Sequence, residues 1–207
     1  MSASTTTYHS SSSSADGIIK KPRLIIIGTS AGGPSILKQI LTQLPTDYPT
    51  PIIIVQHMPA KFTLSFASRL NDLCQIYVKQ AIDEELIKPA TVYIAPGGQQ
   101  LLVKDKKNLT ISIQEGSTTE LFKPCIDHTL HSITPLCPEE TLVIILTGMG
   151  DDGRNGCSEL KRHNATVWAQ DKQSSLIYGM PMAIVKESLA DKILSPYQIG
   201  KHLLNFT

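Results

Sequence analysis

From Arg23 onward, short apolar runs alternate with amphipathic segments along the whole chain. The apolar runs are rich in Ile, Val and Leu with almost no polar interruption, which is typical of strands buried on both faces. They predict five core strands: Leu24–Ile27, Ile52–Val55, Val92–Ala95, Leu142–Thr147 and Thr166–Ala169. Buried strands separated by helical segments indicate a parallel sheet with crossover helices.

The amphipathic segments between these runs predict six helices: Pro34–Leu44, Thr63–Leu73, Lys123–Ile133, Asn155–His163, Met180–Glu187 and Pro196–Leu204. Before the third helix, Leu101–Lys104 and Leu109–Ile113 flank a polar turn at Asp105–Asn108, which predicts an inserted β-hairpin. We therefore expect an α/β fold. The sheet should be doubly wound and mostly parallel, with helices on both faces and the hairpin inserted into this frame.

The first 21 residues differ in kind from the rest. They include the serine run Ser10–Ser14 and few apolar side chains, so they cannot bury enough surface to offset the entropy of ordering. The composition predicts a disordered Ser/Thr-rich tail over residues 1–21 and a single folded domain over residues 22–207. The tail has no apolar core of the kind that a secretory signal requires.

Composition narrows the classes of function. The formal net charge is +1 and no block of Lys or Arg stands out, which argues against nucleic acid or an anionic membrane as a partner. No apolar run approaches the roughly 20 residues of a membrane span, so we expect no membrane insertion. The four scattered cysteines are typical of reduced thiols in a cytoplasmic protein and predict no structural metal site. They are Cys74, Cys125, Cys137 and Cys157.

In parallel sheets, sites form beyond the carboxyl ends of strands, and the first such loop carries a serine. Gly28 to Gly32 reads G-x-S-x-G around Ser30, a strand–turn–helix pattern that projects a nucleophile. A phosphate-binding P-loop would need a lysine after its last glycine, and a dinucleotide site would need another glycine spacing. Alone, the loop fits a nucleophile, an anion or nucleotide site, or a structural turn.

The second loop places His57 directly after the apolar run Ile52–Val55 and its polar neighbour Gln56. A histidine leaving a buried strand can meet a residue from the neighbouring strand end, although a lone histidine is more often structural. His128 and His131 lie one helical turn apart, and a solvated helix face is favoured there over a metal site.

The third loop, residues 146–153, contains Asp151 and Asp152 between glycines. Paired aspartates suit a divalent-metal site or a turn that caps a helix. One aspartate could instead orient a histidine by accepting its Nδ1–H, as in hydrolase triads. Together the three loops supply nucleophile, base and orienting carboxylate at the ends of three strands of one sheet.

Five motifs of the chain, in order, resemble the catalytic domain of the chemotaxis protein-glutamate methylesterases, the CheB-type family. They are IGTSAGG at 27–33, QHMP at 56–59, YIAPGG at 93–98, LTGMGDDG at 146–153, and AQD at 169–171 followed by SS at 174–175 and YGMP at 178–181. The resemblance runs from about Arg23 to Leu204, nearly the whole predicted domain.

The resemblance implies hydrolysis of glutamate γ-methyl esters with release of methanol, and deamidation of certain glutamines. By motif position it makes Ser30 the nucleophile, His57 the base and Asp152 the orienting carboxylate, so that Asp151 stays outside the triad. It places oxyanion donors on the backbone of the site loops, at Met149 and Ala31. It implies no cofactor and no metal. The implied partners are the cytoplasmic helices of methyl-accepting chemoreceptors.

Three departures from the family pattern bear on regulation and substrate fit. Family members typically carry an N-terminal receiver domain, for which the residues before Arg23 are too few. We therefore expect a single-domain member or a truncated chain, and a separate response regulator is a candidate partner. Gln100 stands where relatives often have histidine, and Cys125 where serine is usual.

Three functions follow from these observations. The first is the receptor methylesterase, and the second is a serine esterase or deamidase of the same fold that acts on another protein or on a small ester. The third is a non-catalytic binding module. A complete set of Ser30, His57 and Asp152 argues against the third, because a scaffold has no need of all three.

Overall fold

A computed structural model describes residues 21–207. The disorder predicted for residues 1–21 falls almost entirely outside the described residues and stays a prediction. Within them, no helix is both long and apolar enough to cross a membrane.

Nine strands form two sheets in residues 21–207. The strands are β1 (Leu24–Thr29), β2 (Ile52–Gln56), β3 (Tyr77–Gln80), β4 (Thr91–Ile94), β5 (Gln99–Lys104), β6 (Thr110–Glu115), β7 (Thr141–Ile145), β8 (Thr166–Gln170) and β9 (Lys192–Leu194). Seven of them pair in the order β3-β4-β2-β1-β7-β8-β9, and every pairing in that sheet is parallel. β5 and β6 pair antiparallel as a separate hairpin.

Six α-helices cover the large sheet on both faces. They are α1 (Gly33–Leu41), α2 (Ala60–Leu73), α3 (Ile126–Ile133), α4 (Arg154–Arg162), α5 (Met180–Lys186) and α6 (Pro196–Leu204). Alternate residues of β1 enter two separate cores: Ile25 and Ile27 pack with α1, α2 and α6, while Leu24 and Ile26 pack with α3, α4, α5 and the hairpin. The predicted α/β fold, doubly wound with an inserted hairpin, is confirmed.

The winding direction reverses beside β1, and this reversal positions the site. β1 pairs with β2 on one side and with β7 on the other, with Gly28 opposite both Val55 and Ile145. Because parallel strands end at one edge, the loops after β1, β2 and β7 meet there. Such a crevice at the strand carboxyl ends is where ligands bind in open α/β sheets.

Two glycines allow α3 to approach this edge. A Cβ atom at Gly28 or at Gly153 would lie 2.9 Å from the side chain of Ile126, the first residue of α3. Gly153 also has φ of 96°, a conformation that strains other residues. The start of α3 is therefore packed between β1 and the loop after β7.

The structure differs from the sequence-based prediction at several boundaries. β3 and β9 were not predicted, because both are short edge strands with polar side chains and a weak apolar signal. The helix predicted from Lys123 begins at Ile126 instead, since Pro124 disfavours a helical Lys123 and Cys125 is extended. The segment thus freed from α3 contributes directly to the site.

Candidate active site

Buried polar side chains tie the strand ends together. Thr29 Oγ1, at the end of β1, donates to the carbonyl of Thr147 over 2.9 Å. Gln56, at the end of β2, donates through Nε2 to the carbonyls of Ser30 (2.9 Å) and His57 (3.0 Å). One amide therefore fixes the backbone at two of the candidate catalytic residues.

Gln170, at the end of β8, has the same function for the third loop. Its Oε1 accepts the Thr147 N–H at 2.8 Å, and Thr147 Oγ1 in turn donates to the carbonyl of Ala31 at 2.9 Å. The loops after β1 and β7 are thus bonded to each other, which limits their freedom before any substrate arrives.

Ser30 is half-buried and lies against the loop after β7. Its N–H donates to the Thr147 carbonyl at 3.0 Å, and a Cβ atom on Gly148 would lie 2.8 Å from the Ser30 Cβ. The neighbouring residues Ala31 and Met149 are exposed. Among the hydrogen bonds of residues 21–207, none uses the backbone N–H of Ala31 or Met149. Both backbone donors are therefore without a hydrogen-bond partner in the described part of the chain.

His57 and Asp152 meet as the sequence predicted, but through the other ring nitrogen. His57 Nε2 lies 2.7 Å from Asp152 Oδ2, whereas the triad pattern predicted Nδ1 as the partner. The carboxylate is reached by Nε2, the nitrogen farther from the main chain. Nδ1 is buried and has no hydrogen-bond partner in the described part of the chain, so it is the nitrogen left for chemistry.

The Asp152 carboxylate, only 6% exposed, is held by the N-terminus of α3. Oδ2 accepts the Ile126 N–H at 2.8 Å, and Oδ1 accepts the Asp127 N–H at 2.9 Å. Burial by itself raises the pKa of Asp152, but the hydrogen bonds from His57, Ile126 and Asp127 outweigh it and hold the pKa below its ordinary value. The carboxylate is therefore ionised whenever His57 needs an anionic partner.

Asp127, in the first turn of α3, in turn caps the start of α4. Its Oδ1 accepts the Gly156 N–H in the first turn of α4 at 2.7 Å, while its own N–H caps Asp152. Each helix start is thus bound by a carboxylate from the other segment. Burial, the largest influence, raises the pKa of Asp127 above its ordinary value, and the charge of Asp152 adds to this.

Cys125 and Gln100, the two positions where the sequence departs from the family pattern, also lie at the site. The Cys125 thiol donates to Asp152 Oδ1 at 3.3 Å. Cys125 therefore contacts a residue of the candidate triad. Burial and the charge of Asp152 raise the pKa of Cys125 to about 12, and the group therefore acts as a neutral donor. Gln100 is buried and bonds to the chain just before Cys125 and to Cys125 itself.

The remaining candidates lie away from this cluster. Asp151 is exposed and pairs with Arg154 at 3.3 Å. His131 Nδ1 lies 2.5 Å from Glu159 and His128 3.6 Å from Glu120, both on exposed faces. Within residues 21–207, no group of three or more His, Cys, Asp and Glu side chains is arranged to hold a metal ion.

Sequence reasoning missed the supporting residues. Phe122 stacks on the His57 ring, and nothing in its sequence context indicates this contact. Thr29, Gln56, Thr147 and Gln170 share a signal that was available: each is a polar residue at the carboxyl end of an otherwise apolar strand run. A buried polar side chain at that position must find a partner, and here the partners are the site loops.

Fold and site together define an α/β protein with a serine, a histidine and an aspartate at neighbouring strand ends. The sequence profile of the family described as CheB methylesterase matches residues 25–203. The chain belongs to this family. In structure it is similar to the Thermotoga maritima CheB methylesterase catalytic domain, with a TM-score of 0.86 and 37% identity over 90% of this chain and 99% of that one.

Curated relatives give the same result. The chain is 48% identical over 186 residues to the Pseudomonas putida protein-glutamate methylesterase/protein-glutamine glutaminase of group 1 operon, covering 89% of this chain and 50% of that protein. It is 45% identical over 204 residues to protein-glutamate methylesterase/protein-glutamine glutaminase 3 of Pseudomonas syringae pv. syringae, covering 98% and 52%. The chain spans about half the length of these relatives.

Asp152→Asn should lower the free energy of unfolding at pH 7 by about 1.5–3 kcal/mol, because an amide cannot accept all the bonds that the carboxylate accepts. Since the folded pKa is lowered, the carboxylate stabilises the fold above the ordinary carboxyl pKa and loses this effect as pH falls through the folded value. The difference from wild type should therefore shrink in strong acid. Urea titrations at pH 7 and about pH 3 measure it. The exposed neighbour Asp151→Asn is the control, and equal losses in both variants would contradict the assignment.

Asp127→Asn should show the opposite pH dependence. An acid whose folded pKa is raised favours the folded state below its unfolded pKa and loses that contribution as pH rises through the folded value. The neutral amide keeps an acceptor for the Gly156 N–H, so the variant should gain stability relative to wild type between about pH 4 and pH 7. Thermal unfolding across this range measures the difference. A pH-independent difference would show that Asp127 titrates as it does in the unfolded chain.

Proposed function

We propose that this chain is a protein-glutamate methylesterase that hydrolyses glutamate γ-methyl esters on the cytoplasmic helices of chemoreceptors and releases methanol. The observation that carries the proposal is the buried His57–Asp152 pair at the strand edge shared with Ser30, in a chain of the CheB methylesterase family. The names of the Pseudomonas relatives support both this activity and a second one, deamidation of protein glutamine.

The proposed reaction begins with attack of Ser30 Oγ on the ester carbonyl. His57 Nδ1, which is buried and has no hydrogen-bond partner within residues 21–207, takes the hydroxyl proton as the new C–O bond forms. The protonated ring then gives this proton to the departing methoxide, so that methanol leaves and a glutamyl ester of Ser30 remains. Water repeats the sequence, with His57 as base, and releases glutamate and free Ser30.

Asp152 and the site loops act on charge that develops during these steps. The ionised Asp152 accepts the His57 Nε2–H, holds the ring in the tautomer with free Nδ1, and stabilises the imidazolium. The unused N–H groups of Ala31 and Met149 are the proposed donors to the oxyanion of the tetrahedral intermediate. Methanol is a better leaving group than ammonia, so ester hydrolysis should be faster than deamidation.

A protein substrate is supported by the apolar side chains around the site. Leu121, Met149 and Leu176 are 85%, 73% and 74% exposed. Each is adjacent to the site: Leu121 precedes Phe122, Met149 follows Gly148, and Leu176 lies against Gly32. A glutamyl side chain that reaches Ser30 from a helix must bring neighbouring residues onto this rim, and exposed apolar side chains there suit a protein surface.

The cellular setting is part of the proposal. The four cysteines are free, which suits the cytoplasm, where the signalling helices of chemoreceptors lie. A separate response regulator is the proposed controlling partner. Its effect is measured by adding the phosphorylated or the unphosphorylated regulator to the methanol-release assay described next and comparing the rates.

Ser30→Ala should lower the rate of methanol release from methylated receptor fragments by about 10⁴-fold or more, because the nucleophile is lost. A fluorophosphonate probe should label wild type and not the variant. Ser35→Ala, an exposed serine five residues along the chain, is the matched control and should keep both properties. Normal turnover by pure Ser30→Ala protein would exclude the proposed mechanism.

Leu121→Ser and Leu176→Ser should raise the KM for methylated receptor fragments about 3- to 30-fold, because each removes an apolar side chain whose burial by the bound substrate is worth up to about 2 kcal/mol. Hydrolysis of a small ester such as p-nitrophenyl acetate should be unchanged. Leu73→Ser, an exposed leucine at the far end of α2, is the control. Equal loss with both substrates would favour an esterase for small molecules over a protein methylesterase.

A further inference from the structure

The contact between Phe122 and His57 is an aromatic stack on the candidate base. The two ring centroids are 4.2 Å apart and the planes are inclined by 5°. Phe122 lies in residues 116–125, the segment between β6 and α3, which we call the strap. The Phe122 ring therefore covers one face of the imidazole.

The strap is anchored by Gln100, which is only 3% exposed. Gln100 Nε2 donates to Glu120 Oε2 and to the Phe122 carbonyl, both at 2.9 Å. Gln100 Oε1 accepts the Cys125 N–H at 2.8 Å. One buried amide from the hairpin therefore binds the strap before, at and after Phe122, which fixes the position of the aromatic ring.

The second anchor is the β4–β5 turn, where the Gly98 N–H donates to the Lys123 carbonyl at 2.9 Å. Lys123 directly follows Phe122 in the chain. The backbone at and just after Phe122 is thus hydrogen-bonded to the hairpin and to the turn before it, and the stack does not depend on the ring contact alone.

A stacked aromatic ring has two physical effects on a base. It restricts rotation of the imidazole, which holds Nε2 on Asp152 and keeps Nδ1 pointing to the site. Its π face also attracts a cation, so it stabilises the imidazolium relative to the neutral ring by about 0.5–2 kcal/mol, depending on exposure. The neutral face of an aliphatic side chain of similar size would supply packing but not this attraction.

We propose that Phe122 is a positioning residue of this enzyme: held by Gln100, it fixes the plane of His57 and strengthens it as the proton acceptor. The proposal rests on the proposed function, in which His57 is the base. It predicts that loss of the aromatic face weakens the base while leaving the substrate contacts intact.

In residues 21–207, three titratable groups contact His57 or its partner Asp152. Asp152, from the loop after β7, is bonded to His57, and Cys125 and Asp127, at the start of α3, both contact Asp152. Within the strap, Glu120 is bonded to Gln100 and lies 3.6 Å from His128 Nδ1. None of these contacts involves the Phe122 side chain, so a change confined to that ring tests the stack itself.

The deciding experiment compares Phe122→Leu with wild type, using the full chain. Leucine keeps an apolar contact and removes the π face. We expect kcat for methanol release to fall about 3- to 30-fold with little change in KM. The acid limb of the pH–rate profile should move to lower pH by about half a unit to one unit. The pH midpoint of the His57 ring resonances in NMR should move the same way, and this second readout does not require activity.

Controls separate the effect of the stack from a loss of folding. Phe206→Leu makes the same substitution in the opposite core, and both measures should match wild type. Gln100→Ala loosens the strap without touching the ring, and should move both measures in the same direction as Phe122→Leu by a smaller amount. Thermal unfolding verifies that each variant is folded under the assay conditions.

The outcomes are distinct. A lower kcat in Phe122→Leu with no movement of the acid limb or the NMR midpoint would overturn the proposal, because a purely structural defect gives that result. Unchanged kcat and midpoint would overturn it as well. If wild type neither releases methanol nor reacts with a fluorophosphonate at Ser30, the proposed function fails. The NMR midpoint of Phe122→Leu then still decides whether the stack tunes His57.

Discussion

The buried carboxylate of Asp152 is the constraint on which the site depends. An unpaired carboxylate could not stay ionised in this position, because burial strongly disfavours its charge. Two N–H groups of the first turn of α3, the Cys125 thiol and His57 compensate this cost together. The same charge satisfies donors that any helix start leaves free, so one side chain caps a helix and orients the candidate base.

This arrangement explains why packing far from Ser30 matters to the chemistry. α3 reaches Asp152 only because Gly28 and Gly153 leave room for Ile126 against the sheet edge. Asp127 then binds the start of α4, which follows the Asp152 loop directly. The sheet edge, two helix starts and two carboxylates form one connected unit, and a shift in any part would change the distance between Asp152 and His57.

Much of this could be predicted from the sequence, and the failures have physical reasons. The core strands follow from their apolar runs. The places of Ser30 and His57 at strand ends made them candidates, and the resemblance to the CheB-type family chose Asp152 over Asp151. Edge strands β3 and β9 carry no such run. The start of α3, the stack of Phe122 and the bonds of Gln100 depend on contacts between segments distant in the chain, which no local pattern encodes. The expectation that Nδ1 meets Asp152 was wrong for the same reason: the nitrogen used, Nε2, is set by where α3 holds the carboxylate.

The tautomer of the neutral His57 ring is the most direct consequence of this arrangement. We would record NMR spectra of the chain with ¹⁵N-labelled histidine at a pH at which the ring is neutral. The samples are wild type, Asp152→Asn and Asp151→Asn. We expect a His57 ring with its proton on Nε2, hydrogen-bonded and shifted downfield, in wild type and Asp151→Asn, and loss of this signal in Asp152→Asn. A ring protonated on Nδ1, or a downfield signal that survives Asp152→Asn, would contradict it.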